Sequence, residues 1–383
     1  MSDAPFIYLD HSAATPVSPA VVTAMQPYLG EQFYNPSATY LAARKVHDAL
    51  ETARARVAHW LGTRPSEIIF TAGGTEANNL AIHGVMRLYP DANIVVGATE
   101  HEAVLVPAQR YDCRQVAVTS NGSILIESLQ QQIDDKTVLV SIMYANNEIG
   151  TLQPLKKVAQ IINEIRAARQ AAGNLLPLYF HSDACQAGNY LDLHVSRLGV
   201  DLLTINGGKI YGPKQSGALY VKGGIQLQPL IDGGGQERGL RSGTENVAQA
   251  VGLAAALDQV QPRRYDEAKR LQSLQGYFVK QLAKLVPGAV LTGSLKNRLP
   301  NNIHLTVPGF DNERLLIQLD EQGIMAAAGS ACSASNDEPS HVLRAIGLGD
   351  TDAQSSLRFT MGQMTTEVDI DYTLKTLADI TRD

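Results

Sequence analysis

The sequence predicts an α/β fold: a large domain built on a mostly parallel sheet with helices on both faces, and a smaller α+β domain. At 383 residues the chain is long enough for both. Continuous apolar runs such as residues 138–142 alternate with segments of helical periodicity, and buried parallel strands have this apolar character. The alternation fades after about Val260. We therefore expect a large domain of residues 15–260 and a small domain of residues 1–14 and 261–383.

Hydrophobic periodicity places the individual elements in order along the chain. In the large domain we expect helices at residues 19–29, 39–61, 75–89 and 155–172. We expect its strands at residues 68–71, 94–96, 138–142, 178–180 and 202–205. In the small domain we expect helices at residues 265–285, 312–321 and 366–380, and a half-buried strand at residues 302–307, where polar and apolar residues alternate.

Composition excludes several classes of function. A net charge of −6, with acidic and basic residues interspersed, leaves no basic stripe for nucleic acid or an anionic membrane surface. No apolar run approaches the roughly 20 residues that a membrane span needs. Three cysteines, Cys113, Cys185 and Cys332, are too few for a disulfide framework. With no basic or apolar leader at its start, the chain is expected to be cytoplasmic, with free thiols; no metal site is predicted.

One lysine follows a buried strand where the backbone must turn. Residues 202–206 form an apolar run that ends at Gly207 and Gly208, and Lys209 comes next. Burial lowers the pKa of an amine and frees its lone pair, so a lysine here is suited to be a Schiff-base nucleophile. A surface lysine beside a glycine-rich turn is the alternative interpretation.

Two further motifs lie where predicted strands end. Gly74 and Thr75 begin a predicted helix, and a helix N-terminus with a glycine and a hydroxyl suits a phosphate; an ordinary helix cap is the alternative. Asp183 follows the strand at 178–180 and would point into the crevice at the carboxyl edge of the sheet. An ionised aspartate there would keep a pyridine nitrogen protonated, whereas a helix-capping aspartate is the structural alternative.

Three single residues are candidates for chemistry. His101 could stack on an aromatic ring or move protons, although a lone histidine is more often structural. Arg358, in a strand-like segment, could bind a carboxylate in bidentate fashion or form a structural ion pair. Cys332 lies in a loop of small polar residues, 329–337. Packing does not explain a cysteine there, so a reactive thiol is the hypothesis.

Taken together and in this order, these motifs resemble a fold-type I pyridoxal phosphate enzyme. More narrowly, the chain resembles the cysteine desulfurases of the class V aminotransferase group. The similarity extends from Tyr8 to about Thr365, and its most specific parts are residues 146–150, 209–214, 233–244 and 329–332. The resemblance implies an aspartate-aminotransferase-like large domain, with the catalytic-cysteine loop in the small domain.

The resemblance also implies roles for individual residues. Lys209 would bind pyridoxal 5'-phosphate covalently, Asp183 would pair with the ring nitrogen, and His101 would stack on the ring and assist proton transfer. The remaining cofactor contacts would come from Gly74, Thr75, Asn147, Gln186, Asn206 and, across a homodimer interface, Thr244 of the partner subunit. Asn35, Asn147 and Arg358 would hold the carboxylate of the substrate, L-cysteine. Cys332 would receive its sulfur as a persulfide, releasing L-alanine, and pass it to an acceptor protein of unknown identity.

The sequence departs from the family pattern in two places. The family usually has Ser-Gly-His before the lysine, where this chain has Asn206, Gly207 and Gly208. One hydrogen bond fewer to the phosphate costs roughly 1.5–3 kcal/mol, so we expect weaker cofactor retention. The chain also stops at Asp383, without the longer tail that docks the iron–sulfur scaffold in relatives, so the acceptor stays open. Selenocysteine lyase, another class V activity, or an inactive cofactor-binding interaction subunit are the alternatives, and Cys332 discriminates among them.

Overall fold

The computed structural model describes residues 6–329 and 339–382. The strands in chain order are β1 Ile7–Tyr8, β2 Ile68–Thr71, β3 Asn93–Gly97, β4 Asp112–Val116, β5 Thr137–Ser141, β6 Tyr179–Asp183, β7 Leu202–Asn206, β8 Gly217–Val221, β9 Val290–Leu291, β10 Asn302–Thr306, β11 Ile324–Met325 and β12 Ser356–Thr360. The helices are α1 Pro19–Met25, α2 Leu41–Leu61, α3 Gly74–Met86, α4 Glu102–Ala108, α5 Ile126–Gln132, α6 Leu155–Ala171, α7 Val195–Leu198, α8 Val247–Val260, α9 Arg264–Leu285, α10 Asn312–Glu321, α11 His341–Ala345, α12 Asp350–Ala353 and α13 Glu367–Ile380.

A seven-stranded sheet forms the centre of the molecule, in the order β2-β8-β7-β6-β5-β3-β4. Strands β4, β3, β5, β6 and β7 run parallel, whereas β8 is antiparallel to both of its neighbours. The carboxyl ends of the parallel strands therefore meet at one edge. In an open α/β sheet this edge is where ligands bind.

Helices bury both faces of the central sheet. On one face, α2, α6 and α8 pack into a core that includes Leu50, Ile162 and Leu253. On the other face, α3 and α4 pack into a separate core around Leu80 and Val104. Coverage of both faces explains why the strands are continuous apolar runs, as the sequence predicted.

A further core lies beside the central sheet. The antiparallel strands β9, β10 and β12 pack with α9, α10 and α13 around Phe278 and Phe359. The N-terminal segment joins this core, because β1 pairs with β11 and Leu9 is fully buried. The distribution of the cores is consistent with the predicted boundaries near residues 14 and 260, which stay a prediction.

The structure corrects two expectations about elements. The strand predicted at 302–307 as half-buried is buried at every position from Asn302 to Thr306. Its polar side faces protein and not solvent, as the hydrogen bond from Asn302 to the carbonyl oxygen of Glu148 shows. The helix predicted at 19–29 ends at Met25 and continues as a 3₁₀ turn over Gln26–Leu29. Pro27 has no amide hydrogen for the α-helical ladder, which accounts for the tighter turn.

The described part of the chain contains no helix that is both long enough and apolar enough to cross a membrane.

Candidate active site

A cavity of about 230 Å³ opens at the carboxyl edge of the central sheet. Most of the residues predicted for the site line it: Gly74, Thr75, His101, Asn147, Asp183, Gln186, Asn206, Lys209 and Arg358. These residues come from segments far apart in the sequence. The fold therefore gathers into one cavity a set of side chains that were selected from separate motifs.

Lys209 lies at the end of β7, in a 3₁₀ turn over Gly207–Lys209. Its Nζ donates hydrogen bonds to the carbonyl oxygens of Ser12 and Ala13, at 2.8 and 2.6 Å. Gly207 is required in this turn, because a Cβ there would collide with the hydroxyl of Ser216. The tight turn and the two carbonyls thus hold the amine in the cavity rather than in bulk solvent, which favours the nucleophilic interpretation of Lys209.

Asp183 is the last residue of β6 and is only 6% exposed. Its carboxylate accepts hydrogen bonds from Nδ2 of Asn78 at 2.6 Å and from the backbone N–H of Cys185 at 2.8 Å. Two donors fix the carboxylate in a single orientation at the cavity wall. Asn78 was missed by the sequence reasoning; the available signal was a polar residue on a face of α3 that is otherwise apolar.

Cys185 also lines the cavity, directly beneath the start of α3. A Cβ on Gly74 would lie 2.5 Å from its Sγ, so only glycine permits this approach of helix and thiol. Burial, with the nearby charge of Asp183, raises the pKa of the Cys185 thiol. Cys185 is therefore a neutral, space-filling thiol in this site and not a nucleophile.

The start of α3 forms the anion-binding side of the cavity. The helix begins at Gly74 after Gly73, whose φ of 127° is readily adopted only by glycine. Thr75 is exposed there and presents its hydroxyl. Asn206 accepts a hydrogen bond from the N–H of Gly208 through Oδ1 at 3.0 Å, which leaves its amide hydrogens for a ligand.

His101 caps α4, and its position defines its tautomer. The backbone N–H of Ala103 donates to Nδ1 of His101 at 3.0 Å. Because an amide N–H can only donate, Nδ1 must carry a lone pair, and the ring proton resides on Nε2. The structure therefore presents a neutral imidazole, with Nε2 as the nitrogen available for proton transfer.

Arg358 reaches the cavity from β12 and is 1% exposed. Its Nη2 donates to Oδ1 of Asp10 at 2.6 Å, and its Nη1 donates to the carbonyl oxygen of Asn147 at 3.1 Å. Gln186 donates to the carbonyl oxygen of Ser12 at 3.0 Å. The ion pair with Asp10 gives Arg358 a structural partner. Arg358 also lines the cavity, and its binding of a carboxylate stays a prediction.

Three predicted site residues lie outside this cavity or outside the described chain. Asn35 is exposed and accepts a hydrogen bond from the N–H of Ser37, without lining the cavity. Thr244 is also exposed and does not line the cavity of its own chain. Cys332 lies outside the described residues.

The lining groups fit pyridoxal 5'-phosphate in their chemistry. A helix N-terminus with a free hydroxyl suits a phosphate, the oriented carboxylate of Asp183 suits a pyridinium N–H, and the amine of Lys209 suits a carbonyl carbon. Gly74 and Thr75, at the start of α3, both line the cavity.

Comparisons with known proteins agree with this geometry. The Aminotransferase class-V family matches residues 7–373 of the chain. Cysteine desulfurase IscS from Dictyoglomus turgidum is 40% identical over 381 residues, which are 98% of this chain and 94% of that protein. Among solved structures, a NifS-like protein has a TM-score of 0.90 at 32% identity and covers 99% of this chain and 100% of its own. SspA in complex with cysteine has a TM-score of 0.79 at 31% identity and covers 93% of this chain and 98% of its own. The chain therefore belongs to the class V aminotransferase family and, within it, to the cysteine desulfurases.

Proposed function

We propose that the cavity converts L-cysteine to L-alanine with pyridoxal phosphate as cofactor, and that Cys332 receives the sulfur. The observation that carries the proposal is the convergence of Lys209, Asp183, His101 and Arg358 on one cavity of about 230 Å³. The bound cysteine of SspA, a relative of the same fold, supports the choice of substrate. A cysteine desulfurase needs each of these groups for a different task, as follows.

The cofactor would be held at three points. Lys209 would bind it covalently through Nζ, Asp183 would face its ring nitrogen, and the start of α3 with Thr75 and Asn206 would hold its phosphate. Asn147 and Gln186 would bond near its phenolic oxygen. When bound, pyridoxal phosphate supplies an electron sink that weakens bonds at the substrate carbon atoms.

The substrate carboxylate would bind to Arg358. Arginine has five N–H groups, of which Nη1 and Nη2 each use one for Asn147 and Asp10. The second N–H of each Nη remains for a carboxylate, in the end-on fork geometry that arginine and carboxylates favour. Asn147 would contribute through its side chain. Asn35, which does not line the cavity here, is retained only as a prediction from the family resemblance.

Protons would move through His101 and Lys209. His101 keeps Nδ1 occupied by the N–H of Ala103, so Nε2 is the atom that can exchange a proton with substrate. Lys209 is held by the carbonyl oxygens of Ser12 and Ala13, which accept hydrogen bonds and do not take its protons. His101 can therefore exchange a proton with the substrate while the N–H of Ala103 holds its ring, and Lys209 would do so through Nζ when that atom is not bonded to the cofactor.

In the proposed sulfur transfer, L-cysteine loses its sulfur and the thiol of Cys332 becomes a persulfide. The thiolate of Cys332 attacks the sulfur of L-cysteine, the carbon–sulfur bond breaks, and its electron pair ends on the substrate carbon, which takes up a proton. The products are L-alanine and a Cys332 persulfide. A reductant or an acceptor protein then removes the outer sulfur. The acceptor and the cytoplasmic location belong to this proposal as expectations from the sequence.

We propose a homodimer in which Thr244 reaches the partner's phosphate site. An exposed apolar surface supports this: Leu29, Phe33 and Leu41 are 70%, 71% and 75% exposed, and Tyr40 is 53% exposed. These four residues, which we call the apolar surface, lie at the end of the 3₁₀ turn after α1, in the loop that follows it and at the start of α2. Clustered exposed apolar residues of this kind mark protein interfaces.

The direct test supplies the purified protein with pyridoxal phosphate, L-cysteine and a thiol reductant. Sulfide and alanine should appear in equal amounts. Cys332→Ser should abolish sulfide formation while keeping the yellow cofactor absorbance, and Lys209→Ala should lose covalent attachment of the cofactor. Full activity of Cys332→Ser with L-cysteine would rule out the persulfide step and favour a different class V reaction.

A further inference from the structure

Beside Arg358 lies a buried polar residue that does not line the cavity and has no role in the proposed reaction. His304 is on β10, directly opposite Arg358 in the antiparallel register of β10 and β12. His304 is 0% exposed. Residues paired in this way have Cβ atoms about 4.5–5.5 Å apart and point to the same face of the sheet. The imidazole and the guanidinium are therefore neighbours.

Both neighbours carry unused hydrogen-bonding atoms. Among the described residues, neither ring nitrogen of His304 has a hydrogen-bond partner, and neither does Nε of Arg358. Most buried polar side-chain atoms in proteins are hydrogen-bonded, so such atoms need an explanation. The unused atoms are complementary here, because Nε–H is a donor and a neutral imidazole has one accepting nitrogen.

The charge state of His304 suits an acceptor. Burial lowers the pKa of His304 to about 3, and the positive charges of Arg298 and Arg358 act in the same direction. The ring is therefore neutral at physiological pH. A carboxylate in its place would compete with the substrate for Arg358, whereas a charged imidazole would repel the guanidinium.

We propose that His304 is a positioning residue for Arg358: its imidazole accepts the Nε–H through one buried water, and so directs the free N–H groups of Nη1 and Nη2 at the substrate carboxylate. Asp10 and Asn147 already hold the two Nη atoms from one side. The contact from His304 fixes the third nitrogen and hence the plane of the guanidinium. This role rests on the proposed function of Arg358 as the carboxylate-binding residue.

The test uses three variants of the cofactor-loaded enzyme. His304→Leu removes the acceptor at similar size, whereas His304→Asn and His304→Gln place an amide oxygen near the positions of Nδ1 and Nε2. For His304→Leu we expect the KM for L-cysteine to rise roughly 10-fold, the loss of one hydrogen bond to a charged group, with kcat unchanged. Either the Asn or the Gln variant should restore the KM and so identify the accepting nitrogen.

A second readout separates positioning from general damage. L-alanine and ethylamine differ by the carboxylate alone, so their inhibition constants report on carboxylate binding. His304→Leu should weaken inhibition by alanine roughly 10-fold and leave inhibition by ethylamine unchanged. An unchanged KM in His304→Leu, or an equal loss for both inhibitors, would overturn the proposal. If His304→Leu does not fold, the Asn and Gln variants decide, because a KM raised equally in both would also contradict it.

The outcomes distinguish this inference from the proposed function. Absence of sulfide and alanine from the unsubstituted enzyme would contradict the desulfurase function itself. Equal inhibition of the unsubstituted enzyme by alanine and ethylamine would contradict the role of Arg358. If the unsubstituted enzyme passes both of these tests, the results for the His304 variants given above bear on the positioning role alone.

Discussion

Gly208 stands where the family resemblance predicts a histidine, and this departure stays a prediction. Its backbone does not require glycine, since it has no positive φ. A Cβ built on it would meet Oδ1 of Asn206 at 3.5 Å and Lys214 at 3.7 Å, which are ordinary contacts. Gly207, by contrast, has no room for a side chain beside Ser216. Neither the backbone conformation nor the space for a Cβ therefore requires glycine at 208, whereas packing does require it at 207.

We predict that Gly208→His strengthens cofactor binding roughly 10- to 100-fold, because the imidazole adds a donor to the phosphate. The measurement is the dissociation constant of pyridoxal phosphate, which is determined from the absorbance of the cofactor during dialysis. Gly208→Ala is the matched control, since it adds the Cβ without a donor and should leave the constant unchanged. A gain in the alanine variant as large as in the histidine variant would attribute the effect to backbone stiffening instead.

Side-chain chemistry explains how much of the site could be predicted from the sequence. Lys209 and Asp183 follow apolar strands, and strand ends converge in this fold, so their meeting was foreseeable. The carbonyl oxygens of Ser12 and Ala13, which hold the lysine, carry no sequence signal, because every residue has one. Asn78 was missed for a related reason: its role depends on the rotation of α3, which the sequence does not specify at single-residue accuracy.

At the level of the elements, His181 joins three adjacent strands of the central sheet. Its Nδ1 lies 2.8 Å from Oγ of Ser141 on β5, and its Nε2 lies 3.1 Å from Oγ1 of Thr204 on β7. Burial lowers the pKa of His181 to about 4. In the unfolded chain a histidine has a pKa of about 6.5. Between these values the unfolded chain binds a proton that the folded chain does not.

The contribution of His181 to stability is therefore fully present above pH 6.5 and is lost as the pH falls toward 4. We predict that the native protein loses about 2 kcal/mol more of its free energy of unfolding between pH 7.5 and pH 5 than His181→Asn does. Urea unfolding of both proteins at the two pH values measures this difference. Parallel losses in the two proteins would show that His181 is protonated in the folded state.

The glycine-rich loop at residues 233–243 is fixed by a buried ion pair. Both carboxylate oxygens of Glu237 accept hydrogen bonds from Arg54 of α2, at 2.7 Å each. Glu237 also accepts from the N–H of Phe70 on β2 at 2.8 Å. Glu237 and Arg238 have φ values of 46° and 60°, which are unfavourable outside glycine. The ion pair thus holds a strained loop that ends next to Thr244.

We predict that Glu237→Gln destabilises the protein by about 1.5–3 kcal/mol, because Arg54 loses its buried carboxylate partner and keeps only its ion pair with the more exposed Glu51. The free energy of unfolding in urea is the measurement. The double variant Arg54→Met, Glu237→Leu should recover part of the loss, since it removes both charges. A double variant that is less stable than Glu237→Gln would mean that the loop depends on the pair itself.

The sequence predicted helices and strands correctly where burial produces a clear pattern of polar and apolar residues. Strand β2 and helix α10 have the predicted bounds, because an apolar run and an amphipathic repeat are unambiguous. Helix α8 was not predicted, since it is buried on nearly all sides and has no polar face. Strand β10 alternates as an exposed strand does, but its polar row faces a buried cluster that includes His304 and Arg358. The alternation of polar and apolar residues does not reveal whether the polar side of a strand is exposed to solvent or buried.

At the scale of the whole molecule, a dimer would complete two sites at once. Subunit mixing tests this. We predict that a mixture of Lys209→Ala and Thr244→Ala subunits, refolded together, is more active than either variant alone. In the mixed dimer one site has its own Lys209 and receives Thr244 from the partner, so that site is intact if Thr244 acts across the interface.

No gain over the more active parent would mean that Thr244 acts within its own chain or not at all. Phe33→Asp, on the apolar surface, provides the matched control, because a charge there should oppose association. In sedimentation the Phe33→Asp protein should have the mass of a monomer. Subunits that carry Phe33→Asp should show no gain in activity on mixing. A dimeric Phe33→Asp protein would place the interface elsewhere.

The N-terminal segment is bonded to the two other parts of the chain that complete the cavity. Asp10 pairs with Arg358, the N–H of Ser12 bonds to the hydroxyl of Thr360, and the N–H of Thr15 bonds to the carbonyl oxygen of Gly208. During synthesis on a ribosome, the N-terminal segment is made first, but it can form these contacts with β12 only after β12 has been made. A nascent chain that has not yet been extended through β12 can bury the central sheet, but it has neither the guanidinium nor the strand that fixes residues 9–12. We therefore expect the cavity to be completed only after β12 has been synthesised.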